Sequence, residues 1–352
     1  MRVLVVGPYW FGGWTESVSS ALKQLNCQVE VFYYTKTATK EAAQSITSLF
    51  RIAPTLFIRQ IFWLMLMGRE IDRNLIKAAI TFQPDLILVL KGEVILPKTL
   101  VKLKKISSNP VLVNWWVDNP ILQDEKHKWL IFPYCVPRYD QLFVFDYAYF
   151  EPLRKLGAKK VSFLPCAADP EQYHPENLTA EQRLHLQCNV CFIASFYKTR
   201  GDLVAPFLNI PGVAIWGGGW SQFLRKAGIN DIQKIVRGEY LPIEDVNRAY
   251  QAATVVLNSH HPQTKHAGLN SRAFEIPASG GVQLTDYVSG MEDLLIPGEE
   301  VVVYRSPEEG AALVKELVDD PDTRNKIAHA GHAKVMSKHT YFHRMQTILK
   351  SV

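Results

Sequence analysis

Short apolar runs alternate with helical periodicity along the first half of the chain. Arg2–Val6 reads as a strand, followed by the loop Gly7-Pro-Tyr-Trp-Phe-Gly-Gly13 and a helix from about Glu16 to Leu25. Gln28–Tyr33 is the next strand. Helical spacing runs from about Lys40 to Ile80, with breaks expected at Pro54 and Gly68. Pro84–Leu90 carries a continuous apolar run, as a strand covered on both faces should. Pro97–Lys105 predicts a basic helix, Val111–Val117 a strand ending in Asp118-Asn-Pro120, and Leu142–Asp146 and Lys160–Leu164 two more strands around a helix at Tyr149–Leu156. Strands alternating with helices predict an α/β domain with a doubly wound parallel sheet.

Pro165–Glu181 is rich in proline and polar residues and reads as the connection between domains. Beyond it the pattern recurs. Strands are expected at Asn189–Ala194, Val213–Trp216, Gly238–Pro242, Val255–Asn258 and Val282–Thr285. Helices are expected up to about Leu208, and at Glu244–Ala252, Leu269–Ser279, Glu308–Val318, Asp322–Ser337 and Tyr341–Leu349. The expected division is 1–170, 171–337 and a C-terminal helix, 338–352, packing back on the first domain. Two such domains facing across a cleft would place ligands at the carboxyl ends of their strands.

The 352 residues suit two domains, and 47% hydrophobic with 21% charged excludes a disordered or coiled-coil chain. Charge divides unevenly: residues 1–170 carry a net +7 and the rest −2. A basic half favours an anionic or membrane-surface partner, but no dense Arg/Lys run points to nucleic acid. Thr55–Met67 is the most apolar stretch. It is shorter than the roughly 20 residues that span a bilayer, which leaves a buried helix or an interfacial one. Five cysteines, an odd number, fit free thiols and a cytoplasmic protein, with peripheral contact at the inner membrane surface as the interfacial option. Cys188-x-x-Cys191 has metal or redox spacing but no second pair.

The glycines of the first loop (Gly7, Gly12, Gly13) let backbone approach a ligand on the acceptor side. The loop matches neither G-x-G-x-x-G nor the P-loop pattern, which disfavours a nicotinamide dehydrogenase or a P-loop kinase. In Gly268-Leu-Asn-Ser-Arg-Ala-Phe-Glu275, Arg272 and Glu275 are three apart and share a helix face. An arginine can clamp a diphosphate, and a carboxylate can accept two ribose hydroxyls. The histidines His260, His261 and His266, and His339 with His343, lack an HExxH or a carboxylate partner in ligand spacing, so no metal is expected. Asp320-Pro-Asp322 sits where a helix cap belongs. There is no G-x-S-x-G nucleophile elbow.

The stretch from Asn258 through GLNSRAFEIPASGGVQLTD, then LLIPGEEVVVYRSPEE and IAHAGHAKVMSKHTYFHR, resembles the C-terminal half of GT-B glycosyltransferases, and within them the spore-maturation, CgeB-like group. FIASFYKTRGDL and GAKKVSFLPCAADPEQYHP resemble the same family upstream, and NWWVDNP with the Gly-rich loop more weakly. The resemblance implies two Rossmann-like domains, no cofactor beyond a nucleotide-sugar co-substrate, and sugar transfer to a hydroxyl acceptor without a metal. A non-catalytic nucleotide or sugar binder on the same fold is the alternative. Carried over by motif, Glu275 would hold the donor ribose, Arg200 and Lys198 would neutralise the diphosphate, and Arg272 and Asn270 would face sugar or phosphates. Gly268 would join the donor loop and Tyr240 would lie near the base. Many related enzymes carry a second glutamate eight residues before the first. Here that position is Ala267, and His266 or Asn270 would fill part of its role. For an inverting reaction the candidate bases are Asp118, at a strand end, and Glu16, at the helix after the Gly-rich loop. Donor sugar, acceptor, stereochemistry and oligomeric state are not written in these patterns.

Overall fold

Among the residues described in the computed structural model every strand pairing is parallel, in two separate six-stranded sheets. The structure describes residues 1–9, 13–35, 56–121, 131–229 and 231–352, with backbone alone for 56–67. The chain divides into one unit of Met1–Pro165 plus Tyr341–Val352 and another of Cys166–Thr340.

Unit 1 runs β1 (Arg2–Gly7), α1 (Trp14–Gln24), β2 (Gln28–Tyr33), α2 (Leu56–Phe82), β3 (Leu86–Leu90), α3 (Pro97–Leu103), β4 (Val111–Trp116), α4 (Phe132–Cys135), β5 (Gln141–Val144), α5 (Phe150–Lys155) and β6 (Val161–Phe163). Its sheet order is β2-β1-β3-β4-β5-β6. All five residues of β3 are buried, which is why its sequence does not alternate. On α1, Trp14, Val18, Ala21 and Leu22 form one apolar stripe against Val3, Val5, Leu86 and Leu88.

Unit 2 runs α6 (Ala180–Leu186), β7 (Cys188–Ile193), α7 (Lys198–Val204), β8 (Val213–Trp216), α8 (Trp220–Lys226), α9 (Ile232–Ile235), β9 (Val236–Gly238), α10 (Ile243–Ala252), β10 (Ala253–Asn258), α11 (Arg272–Ala278), β11 (Gln283–Asp286), β12 (Val302–Tyr304), α12 (Pro307–Asp319) and α13 (Pro321–Lys338). Its order is β12-β11-β10-β7-β8-β9. The last helix, α14 (Tyr341–Leu349), returns to unit 1, where Met345 and Ile348 are fully buried in the core beneath α1. The two points where the chain passes between units lie together: Ala168 bridges Thr340, and the Ala168 amide donates to the His339 carbonyl.

Several local expectations change. The break at Gly68 does not occur: α2 runs through it, because one glycine costs a helix only about 1 kcal/mol and packing outweighs that. Pro54 and the start of that periodicity lie outside the described residues, as do Thr55 and the side chains through Met67. Among the described residues no helix is long and apolar enough to cross a membrane. The connecting stretch is anchored on α10: Tyr173 stacks on Tyr250, and the Asn247 side chain bonds the backbone of His174. The third strand of unit 2 is Val236–Gly238, not Gly238–Pro242. Helix α11 begins at Arg272 rather than Leu269, so Asn270 precedes it.

Candidate functional site

In a doubly wound sheet a crevice opens where strand order reverses, outside the carboxyl ends of the strands. In unit 2 that point lies between β7 and β10. The turn after β7 is pinned closely. Trp220 Nε1 donates to the Ala194 carbonyl at 2.6 Å. A Cβ on Gly217, whose φ is 148°, would stand 2.2 Å from that same oxygen, so only glycine lets β8 approach. From this turn Tyr197 and Arg200 project. The Arg200 guanidinium donates to the Ser195 carbonyl and lies 4.1 Å over the Tyr197 ring. Burial, and then the charge of Arg272, pull its pKa down to about 10.

Asn258, at the end of β10 and fully buried, organises the other wall. Its Oδ1 accepts from Arg272 Nε (3.2 Å), Asn270 Nδ2 (3.0 Å) and the Ser259 amide (2.9 Å), and its Nδ2 donates to Asn270 Oδ1 (3.1 Å). Asn270 Oδ1 also accepts the Ala273 amide, capping α11 from outside. Glu275 follows one turn on, half-buried. Burial pushes its carboxyl up to about 7 against the opposing charge of Arg272 and a hydrogen bond from Ser271. Beside them the His260 ring is held by Asp286: Nδ1 lies 2.9 Å from Oδ1, and the His260 amide donates to the same oxygen. Its Nε2 is buried without a hydrogen-bond partner.

The structure thus brings Arg200, Arg272, Asn270 and Glu275 to the end of one sheet. Lys198 is exposed at the start of α7. Gly268 is buried, and its carbonyl accepts Thr264 Oγ1. His266 is exposed, its Nδ1 3.2 Å from Ser289 Oγ. Ala267, buried at φ +60°, donates its amide to the Ser289 carbonyl. Tyr240 is 77% exposed in the segment after β9. Asn258, Asp286 and Tyr197 were not singled out as site residues from sequence. A polar residue ending an apolar strand run was the available signal for the first two.

His339 and His343 do not share a helix face: α13 ends before the first, and α14 carries the second in the other unit. Asp320 caps α13, accepting from the Thr323 amide and hydroxyl. Among the described residues no group of three or more His, Cys, Asp or Glu is placed to hold a metal ion. Cys188 and Cys191 are buried free thiols that share a hydrogen bond.

In unit 1 the corresponding switch point lies between β1 and β3. Gly7 ends β1 against Thr15, and Gly13 opens α1 at φ +72°, while Gly12 lies outside the described residues. Glu16, in the first turn of α1, hydrogen-bonds Tyr33 at the end of β2. Asp118, two residues past β4, pairs with Lys91 at 3.0 Å. Both candidate bases therefore stand at the carboxyl edge of the unit 1 sheet.

Residues 200–350 match the family described as Glycosyl transferase-like. The chain is 23% identical over 271 residues to the spore protein CgeB of Bacillus subtilis strain 168, covering 74% of this chain and 80% of that protein. Among solved structures it is similar to sucrose-phosphate synthase from Thermosynechococcus elongatus (TM-score 0.69, 13% identity, covering 100% and 98% of the two chains). HepE of Anabaena in complex with UDP-glucose is similar at TM-score 0.65 and 13% identity (100% and 99% covered). Trehalose 6-phosphate synthase from Burkholderia multivorans is similar at 0.64 and 12% (99% and 96%). These likenesses show the GT-B fold, the architecture the sequence motifs imply.

Proposed function

We propose that this chain, glycosyl transferase-like over residues 200–350 and built on two GT-B sheets, moves a sugar from a nucleoside-diphosphate donor to a hydroxyl acceptor. The observation that carries the reading is a pair of guanidiniums near each other with only one carboxyl, the raised-pKa Glu275, acting on one of them. Arg200 is held by a carbonyl and Arg272 by an amide oxygen, and among the described residues neither is within ion-pair distance of a carboxylate. Two guanidiniums close enough to repel, partly out of water, gain most from a doubly charged anion between them.

In the proposed mechanism that anion is the donor diphosphate. Arg200 and Arg272 meet the charge that grows on it as the glycosidic bond breaks, with Lys198 at the rim. Glu275 accepts the ribose hydroxyls. Asn258 and Asn270 hold Arg272 in place, so its orientation is set before the donor arrives. The acceptor proton passes to a carboxylate of unit 1, Asp118 or Glu16. Protein cations take the part a metal plays in other transferases, so no metal is needed. HepE, similar in fold, was solved with UDP-glucose, which makes uridine donors the first to test.

The test is release of UDP from UDP-glucose, and of other bases and sugars in the same format, with excess chelator present. Turnover that persists supports the mechanism. Complete loss with full rescue by magnesium or manganese overturns the metal-independent part. Nucleotide protection against melting without any sugar release overturns transfer in favour of a binding protein.

A further inference from the structure

The sheet of unit 2 ends at β12, and a cavity of about 440 Å³ opens along that end. One face of α12 walls it: Glu309, Leu313, Glu316 and Leu317 recur at helical spacing, and Asp320 follows in phase. Val302, Leu317 and Ile327 of α13, all buried, form an apolar floor. The cavity stands two strands away from the β7/β10 switch point, so it is separate from the site of Arg200 and Arg272.

The strand edge beside this cavity is open. Along a strand, successive residues face opposite ways. The Tyr304 carbonyl accepts the Tyr287 amide on the β11 side at 2.9 Å, whereas the Val301 carbonyl accepts the Gly298 amide on the outer side at 2.8 Å. Val303 is in phase with Val301, so its amide and carbonyl point outward along the cavity that its side chain helps to line. The turn at Gly298 covers the edge as far as Val301, and among the described residues no backbone group meets Val303 on that side. A free donor and acceptor on an edge strand are what an extended chain needs to add itself to a sheet.

Charge selects the chain. Glu309, Glu316 and Asp320 line the cavity, with no lysine or arginine beside them. Residues 297–327 as a whole carry eight carboxylates against four basic side chains. Glu309 accepts the Arg305 amide and Asp320 the Thr323 amide, bonds to neutral groups that leave both negative charges in place. Among the described residues none of the three is within ion-pair distance of a base. We infer that this groove is a docking site for an extended basic peptide segment of a partner protein. Its main chain pairs with Val303, an aliphatic side chain covers Leu317 and Ile327, and lysine or arginine lies beside Glu316 and Asp320. An acidic segment is excluded by like charge. A small polycation would meet the carboxylates but leave the backbone edge and the apolar floor unused.

The test is fluorescence anisotropy of the full chain with three labelled probes: acetyl-Arg-Leu-Arg-Val-Arg amide, its twin with glutamate for arginine, and the basic peptide N-methylated at its three central residues. The basic peptide is expected to bind, the acidic twin not, and the methylated one about tenfold more weakly, for two lost backbone hydrogen bonds. Glu316→Gln should weaken the basic peptide up to about fivefold, the loss of one exposed ion pair, and Glu316→Lys further. Glu181→Lys, exposed on α6, should leave it unchanged. Val303→Pro removes the outward amide, which an edge position tolerates, and should weaken the basic peptide; if that variant melts below the parent, the methylated peptide decides. Five results overturn the site: no binding of the basic peptide, equal binding of the acidic twin, equal binding of the methylated peptide, equal loss in Glu181→Lys and Glu316→Lys, or a parent dimer that Glu316→Lys splits into monomers. The third would mark a polycation surface, and the last a groove filled by a second copy of this chain.

Discussion

Glu275 is a carboxyl caught between two demands. Burial holds it protonated up to about pH 7, while ribose hydroxyls would favour the ionised form. Donor affinity should therefore rise with pH through about 7, and in Glu275→Gln that dependence should vanish; calorimetric titration of UDP-glucose, whose diphosphate has no terminal phosphate to ionise near neutral pH, measures it. The same shift has a stability side. The folded chain keeps this proton above 4.5, where the unfolded chain sheds it, so the contribution is fullest below 4.5 and fades as pH rises through about 7. Glu275→Ala should weaken UDP about tenfold or more with the fold intact. Arg200→Ala should weaken UDP much more than uridine, since in the proposed mechanism its guanidinium meets the diphosphate and not the nucleoside; equal losses would make it structural. Arg200, Arg272 and Glu275 were legible because a motif names them. The Asn258–Asn270 pair was not. Two amides twelve residues apart, bonded across a loop, leave no periodic trace. Ala267 shows the converse: the sequence marks a missing glutamate, but not that the alanine is buried in a left-handed turn.

At the scale of elements, strands were read well and helix limits less so. Burial gives β3 and the end of β10 short apolar runs, and their length marks them as strands rather than buried helix. The start of α11 was misplaced because Leu269 fits the apolar period while the Asn270 side chain caps the helix. Helix α6 was missed, its residues beyond the Pro165–Glu181 connection being given no element, although Thr179-x-x-Gln182 spells a capping box, and both of its reciprocal bonds are present. Thr179→Ala should cost about 1 kcal/mol by urea unfolding. Gly68 offers the opposite test. It sits inside a continuous helix, and an added methyl would meet Leu96 at 3.4 Å, an ordinary contact distance. Gly68→Ala should stabilise unit 1 by about 0.5–1 kcal/mol. A loss would mean that α2 needs the glycine for closeness to Leu96.

For the whole molecule, the sequence suggested two α/β halves and a C-terminal helix, 338–352, packing back on the first; in the structure Tyr341–Val352 groups with unit 1. Met345 and Ile348 belong to the core of unit 1, and Arg344, itself buried, donates from Nε to the Pro165 carbonyl at 2.9 Å. Removing residues 341–352 should uncover α1 and cost unit 1 several kcal/mol, since losing one buried large aliphatic side chain costs about 2–5. If UDP binds as proposed, through side chains of unit 2 alone, its binding should survive the truncation. Circular dichroism melting read alongside UDP titration separates the two effects.

That shared core also sets an order of events on the ribosome. Unit 2 is an insertion in unit 1, and its two ends are tied to each other through Ala168 and Thr340. At roughly 5–20 residues per second, all of Cys166–Thr340 must be made before α14 can leave the exit tunnel, a delay on the order of ten seconds or more. Through that interval the part of the unit 1 core that Met345 and Ile348 fill, next to α1, is left open. The inserted unit can close on its own paired ends meanwhile, so the half of the protein translated first is the half completed last, and its exposed seam is what a holding chaperone would meet.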